Sequence, residues 1–457
     1  MSPWGAWCCE PMTGEGMDGR RTYFVRGALG IALYAMLVLA PLSLMLLPPL
    51  SAARTVLLES SVALAFVAAG VIGMQFVLAV RFAPLKRPYG VDAVYYFHRQ
   101  MALVALGLVL AHPLLIFLDD PERLGLLNVF SAQWPSRFAV LAALGVMGIV
   151  GASLLRRRLP VSYELWHGFH ATGAVAIIAL VTLHVEGSGI YATDWKISVF
   201  LVYPALALVS LGYSRIGKPL RRRGRPYRVE EVRQETPDVW TLSLRPEGHS
   251  GIEFRPGQHA WFIIGRSPFS LEEHPFSFSS SALAEHGGFD ITVKELGDFT
   301  AQIGSTVVGT TVYVDGPFGA FTTDRHPAPR YAFVTGGIGI TPVMSILRSA
   351  ADREDRTPMT LVYGAKSLND LAFSDELDAL AERLDLAITY VLEDPPEDWD
   401  GEAGFITREI IERATGGHQG HEYFTCGPPV MTAVVEGILV EMGVDRRRIH
   451  YERFDLA

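Results

Sequence analysis

The sequence predicts a multi-domain chain: a six-helix transmembrane bundle, then a small antiparallel β-barrel, then an α/β domain built on a parallel sheet. Three observations predict it. Residues 24–215 are mostly apolar with few charges, whereas the chain from about 216 onward has the mixed charge of a soluble protein. The soluble half opens with short alternating strands separated by Gly and Pro turns. It then changes, near residue 330, to strands that alternate with helical patterns.

The composition fits this division. The 457 residues are 49% apolar with a net charge of −9, and that average conceals the two halves. Cys8, Cys9 and Cys426 are the only cysteines. They exclude a disulfide framework and fall short of the four ligands an iron–sulfur cluster needs. Cys8 and Cys9 belong to a tail that reads as disordered, with acylation as the alternative. No nucleic-acid partner is expected.

Apolar runs near 24–47, 56–80, 95–118, 138–155, 163–185 and 195–214 are each long enough to cross the hydrocarbon layer as helix. The first, behind "MDGRRTYFVRG", is too long for a signal-peptide core and reads as an uncleaved span. One set of flanks carries 15 basic residues: Arg20, Arg21 and Arg26; Arg81, Lys86 and Arg87; Arg156, Arg157 and Arg158; and Arg215, Lys218, Arg221, Arg222, Arg223 and Arg225. The opposite flanks carry four, Arg54, Arg123, Arg137 and Lys196. By the positive-inside rule the N-terminus and the soluble half are cytoplasmic, in a multi-pass protein of the inner (plasma) membrane. The stretch "GKPLRRRGRPY" marks the domain junction and is expected to meet anionic lipid headgroups. The expected boundaries are a tail over 1–22, the membrane domain over 23–216, a basic linker over 217–225, the barrel over 226–325 and the α/β domain over 326–457.

Five histidines lie in the membrane half: His98, His112, His167, His170 and His184. His98 and His112 are fourteen residues apart in the third span, and His170 and His184 repeat the spacing in the fifth. Fourteen steps fall about 40° short of four full turns and rise about 21 Å, so each pair shares one helix face with one histidine toward each membrane surface. Both spans run from inside to outside. Side by side they set His98 level with His170 and His112 level with His184, as six-coordinate haem requires, giving two stacked haems. Polar glue or a proton relay is the competing reading of buried histidines. His167 lies about 100° off the shared face. A role for it, or for Arg99, in holding a propionate stands beside no role at all.

In the soluble half, "VWTLSLRP", "HAWFIIG", "FDITVKEL" and "TVYVDGPFG" are barrel strands. "YAFVTGG", "TLVYGAK", "LAITYVLED" and "EYFTCG" are parallel strands alternating with helices such as "PVMSILRSAADRE". "VTGGIGITP" joins a strand to a helix, where glycines admit a pyrophosphate and the helix offers free N–H groups. Histidines 249, 286, 326 and 418 read as surface residues.

The ordered set "RPGQHAWFII", "EEHPFSFSS", "ELGDFTAQI", "YVDGPFG", "VTGGIGITP", "FTCGPPVM" and "YERFD" resembles the ferredoxin–NADP reductase-like flavin domains. With six spans before it, the chain over roughly 24–457 resembles the ferric reductase / NADPH oxidase superfamily. The resemblance implies FAD, two b-type haems and NADPH or NADH as cofactors. It implies that His274, Pro275, Phe276 and Ser277 line the flavin, with Ser277 bonding its redox-active nitrogen. Gly297, Phe299 and Thr300 would present a helix N-terminus to the FAD pyrophosphate. Gly336, Gly337, Gly339, Thr341 and Pro342 would take the nicotinamide nucleotide, with Cys426, Gly427 and Pro428 beside the nicotinamide. Phe454 would stack on the flavin until nicotinamide displaces it. Lys366 and Ser367 follow the second strand of the α/β domain, where a 2′-phosphate would be met, and this inclines the reading to NADPH.

The reaction expected from the resemblance runs from NAD(P)H through FAD and the two haems to an extracytoplasmic acceptor. That acceptor is a ferric chelate, oxygen (giving superoxide) or a periplasmic partner protein. In animal NADPH oxidases a histidine lies one turn beyond the outer third-span ligand; here that position is Ile116, which weighs against dedicated oxygen reduction. A histidine-lined ion pathway with a regulatory nucleotide domain is a further alternative, and it predicts no haem absorbance.

Overall fold

The computed structural model describes residues 17–48, 54–81, 90–189, 191, 194–417 and 420–452. The chain divides into two compact units, the first ending at Gly212 and the second beginning at Tyr213.

The first unit carries α1 (Met17–Leu39), α2 (Val56–Ala79), α3 (Val91–Asp119), α4 (Trp134–Leu154), α5 (Tyr163–Ser188) and α6 (Ile197–Gly212). Among the described residues six helices are long and apolar enough to cross a membrane, and their spans agree with the six runs read from the sequence. Helix α2 starts on Thr55, whose hydroxyl accepts from the Leu58 N–H, and it is the most enclosed of the six. A Cβ at Gly70 would collide with the Val38 backbone of α1, and one at Gly73 with the Tyr203 ring of α6. Small residues here let three helices approach closely, which is how helices associate where lipid supplies no hydrophobic drive.

The second unit begins with a π turn and the short helix α7 (Lys218–Arg223), so the basic junction is helical. Two of its cations turn away from solvent: Lys218 meets Asp315 at 3.0 Å, and Arg222 meets Glu273 at 2.6 Å and Asp315 at 2.9 Å. The expectation that this whole run faces lipid therefore fails for Lys218 and Arg222. Half-buried acids far along the chain, Glu273 just before β4 and Asp315 in β6, claim them.

Six antiparallel strands follow: β1 (Tyr227–Thr236), β2 (Val239–Pro246), β3 (His259–Ile264), β4 (His274–Ser277), β5 (Phe289–Lys294) and β6 (Thr311–Phe318), in the order β4-β3-β6-β1-β2-β5. A bridge from Phe278 to Ile291 links the two edges and closes the barrel. Alternate residues such as Leu242, Leu244, Ala260, Phe262, Ile291 and Val293 fill its interior.

The α/β part has β7 (Arg330–Gly336), β8 (Met359–Ala365), β9 (Leu386–Leu392), β10 (Glu402–Ala403), β11 (His421–Cys426) and β12 (Ile449–Glu452), all parallel, in the order β10-β9-β8-β7-β11-β12. Helices α8 (Ile340–Asp352), α9 (Ser374–Arg383), α10 (Arg408–Thr415) and α11 (Pro429–Glu441) connect them. The chain winds outward from β7 through β8 to β10, then returns to place β11 on its other side. The topological switch point thus lies between β7 and β11, where open parallel sheets bind ligands at their carboxyl ends.

Candidate functional site

In the membrane unit the histidines meet in the pairs the spacing predicts. The His98 and His170 ring centroids are 6.3 Å apart, and those of His112 and His184 are 6.4 Å apart. Two imidazoles bound at about 2 Å on opposite sides of one metal would hold their centroids about 6 Å apart, so each pair is spaced to take an ion between its rings.

The other ring nitrogens decide what the pairs can bind. His112 Nδ1 lies 2.9 Å from the Ser61 carbonyl and 2.8 Å from its hydroxyl. His184 Nδ1 lies 2.9 Å from the Pro135 carbonyl. A carbonyl can only accept, so each Nδ1 carries the proton and donates it. Nε2 is left with a bare lone pair, which is the tautomer a metal requires. The Ser153 hydroxyl is 3.4 Å from His170 Nδ1. His167 packs against the Trp166 ring, 6.5 Å between centroids. Arg54 lies over the Tyr191 ring, and Arg137 donates to the Ala132 carbonyl at 2.7 Å and the Phe130 carbonyl at 3.2 Å, holding a loop.

In the reductase unit the switch point gathers the predicted nucleotide residues. Gly336 ends β7, and Gly337–Gly339 form one 3-10 turn before α8. Gly337 takes a left-handed φ of 53° that a side chain would strain. A Cβ on Gly339 would strike the Cys426 carbonyl, so the Gly-rich turn touches the end of β11 directly. Thr341 donates to the Ile338 carbonyl at 3.0 Å, and Thr341 and Pro342 are buried in the first turn of α8. Gly427 and Pro428 lead from Cys426 into α11. Lys366 is exposed, whereas Ser367 donates to Asp370 from both its hydroxyl, at 2.6 Å, and its amide, at 3.0 Å.

The predicted flavin residues occupy β4, paired with β3 so that Ser277 opposes His259. Ser277 is buried and its hydroxyl has no hydrogen-bond partner among the described residues. His274 stacks on Phe299 at 3.7 Å between centroids, with Phe276 in the same stack. Thr300 opens a 3-10 turn, and its hydroxyl accepts from the Leu296 and Gly297 amides at 2.8 and 2.9 Å. That fixes the turn and directs Thr300 inward to its own loop.

One residue of the stretch "YERFD" has a place in the site that its local sequence does not reveal. Glu452 is buried in β12, opposite Cys426 in the strand register. Its Oε1 lies 2.7 Å from His259 Nδ1, and its Oε2 has no partner among the described residues. His259 and Glu452 thereby join Ser277 of the barrel to Cys426 of the parallel sheet. Burial, then the Glu452 charge, pushes the Cys426 thiol well above its ordinary range, so it stays protonated at neutral pH. The available signal was the position of Glu452 two residues before Phe454; Phe454 itself lies outside the described residues.

Comparison with known proteins agrees with this geometry. Residues 64–181 match the family described as "Ferric reductase like transmembrane component", residues 229–322 an "FAD-binding domain" and residues 333–437 an "Oxidoreductase NAD-binding domain". The chain thus carries a membrane component with candidate spans, followed by domains of the FAD-binding and NAD-binding kinds. The three matched modules follow one another along the chain in the order membrane component, FAD-binding domain, NAD-binding domain. Among curated relatives, "NADH-cytochrome b5 reductase 1" of Cryptococcus neoformans var. neoformans serotype D is 33% identical over 172 residues, 35% of this chain and 58% of that protein. The protein of the same name in Candida glabrata is 29% identical over 239 residues, 50% of this chain and 83% of that one. The chain thus spans only 58% of the first relative's length. The flavohem-like FAD/NAD-binding domain of nitric oxide dioxygenase from Vibrio cholerae has a TM-score of 0.45 at 23% identity, covering 50% of this chain and 98% of that one.

Proposed function

We propose that the chain moves electrons from a cytosolic nicotinamide nucleotide, through FAD and two b-type haems, to an acceptor beyond the membrane. The spacing of the two imidazole pairs, 6.3 and 6.4 Å, is the observation that carries it. His98 with His170 would hold the inner haem, and His112 with His184 the outer one. A flavin takes two electrons as a hydride and releases them singly, which suits an iron that takes one at a time. The membrane half, barrel and nucleotide domain are assigned to 23–216, 226–325 and 326–457, with the N-terminus and reductase on the basic, cytoplasmic side.

The residues divide the work. Ser277 presents an unpaired buried hydroxyl to the flavin, His274 and Phe299 form an aromatic wall, and Gly336 to Gly339 with Cys426 to Pro428 receive the nucleotide at the switch point. Phe454 would cover the flavin when nicotinamide is absent, as the resemblance implies. Each histidine pair would hold a haem iron through both of its imidazoles and leave the acceptor to be met without direct ligation to the iron. A ferric chelate is favoured over oxygen because Ile116 offers no polar group there.

NADH is favoured over NADPH on one structural observation. Asp370 places a carboxylate at the end of the turn that follows β8, clasping Ser367, and a carboxylate after the second strand takes a ribose 2′-hydroxyl and repels a 2′-phosphate. The names of the reductase relatives agree, and Lys366 is the residue that argues otherwise.

The test is a reduced-minus-oxidised spectrum of purified protein with flavin and haem quantified. The expected result is one FAD and two haems per chain, reduced faster by NADH than by NADPH, with cytochrome c reduction insensitive to superoxide dismutase. A protein without Soret absorbance, after expression with ample haem, would overturn the reading.

A further inference from the structure

Three side chains with metal-binding atoms converge away from the flavin and nucleotide residues. His326 lies between β6 and β7, Glu422 is the second residue of β11, and His450 is the second residue of the edge strand β12. One ligand atom from each lies within 4.8 Å of the others. His450 Nε2 is 2.6 Å from Glu422 Oε2, and the His326 and His450 ring centroids are 3.7 Å apart. The site has a hydrophobic floor: the buried Phe424 ring lies 4.7 Å from His450 and 6.1 Å from His326. Arg448 Nε stands 3.5 Å from Glu422 Oε1. Arg448 thus orients the carboxylate from its far oxygen and leaves Oε2 directed at the imidazoles, the arrangement that outer-shell partners provide for a ligating carboxylate.

We propose that His326, Glu422 and His450 form a binding site for a zinc-like divalent cation that pins the edge strand β12. Two imidazoles and one carboxylate are a known zinc ligand set that leaves one position for water. The three ligands come from a loop and two strands, so a bound ion cross-links segments far apart in sequence. Residues two apart on a strand face the same way, so the ion at His450 fixes the strand that presents Glu452 to His259. The site is independent of the haem reading, since it uses none of the same residues.

The experiment uses the full-length protein in detergent, stripped with a chelator and titrated with zinc chloride against a chromophoric indicator. One saturable equivalent is expected, with an X-ray absorption zinc edge showing two imidazoles and oxygen. His326→Gln and His450→Ala should each weaken that equivalent by about 100-fold, while flavin and haem content stay at wild-type levels. Absence of stoichiometric zinc, or its retention in the double variant, would overturn the site. Should His450→Ala lose its flavin, the wild-type absorption spectrum decides by itself: a shell containing sulfur, or lacking histidine, refutes the assignment.

Discussion

Ser277 shows how a single side chain discloses a ligand. A buried hydroxyl without a partner costs about 1–3 kcal/mol, and this one lies opposite His259, at the junction of the barrel and the parallel sheet. The cost makes sense where a bound flavin supplies the missing partner. Ser277→Ala should therefore leave the thermal stability of the flavin-free protein intact, because there it removes an unsatisfied group. The same variant should slow flavin reduction by NADH about tenfold, the worth of one hydrogen bond of about 1.4 kcal/mol lost from the transition state. Stopped-flow bleaching of the flavin band measures it, and an unchanged rate would remove Ser277 from the chemistry. Glu452 is the opposite case of legibility. Nothing local marks it as buried, and its partner His259 lies 193 residues away.

Helix α7 illustrates what a single element conceals. A run of six cations within eleven residues reads as a solvated or lipid-facing surface, and for Arg221 and Arg223, which are exposed, nothing in the structure opposes that. Arg222 is buried with Glu273 and Asp315, and Lys218 with Asp315. Removing one member of a buried ion pair strands the other charge at a cost of about 3–5 kcal/mol, whereas an exposed cation is worth less than about 1. Arg222→Ala should accordingly lower the unfolding temperature of the reductase half, followed by release of flavin fluorescence, while Arg223→Ala should not. Equal behaviour of the two variants would mean that the pairs are too solvated to matter. Periodicity located the strands and helices well, since the apolar residues Leu242 and Leu244 of β2 and Phe289, Ile291 and Val293 of β5 all lie in the barrel core. It could not tell which carboxylate, 51 or 97 residues distant, would meet each cation.

The molecule as a whole joins a membrane unit, with histidines at two depths, to a reductase unit that assembles its site at a switch point. His112→Leu or His184→Leu should abolish one haem's spectral contribution and stop electron delivery to the outside, while NADH still reduces the flavin. Quantified spectra with a membrane-impermeant acceptor test this, and two full haems in either variant would refute the ligand pairs. The sequence by itself determined the six spans and the shared faces of the histidines. These follow from apolar length and the helical repeat, both written within one segment. It also marked the Gly-rich turn and the flavin strand through short contiguous motifs. Only the tertiary structure decided that the imidazoles stand one metal apart, that Ser61 and Pro135 set their tautomers, and that Glu452 ties His259 to the end of β11. The physical reason is distance along the chain. Such contacts depend on which helices pack and on the order of strands in a sheet, and no local pattern encodes that order.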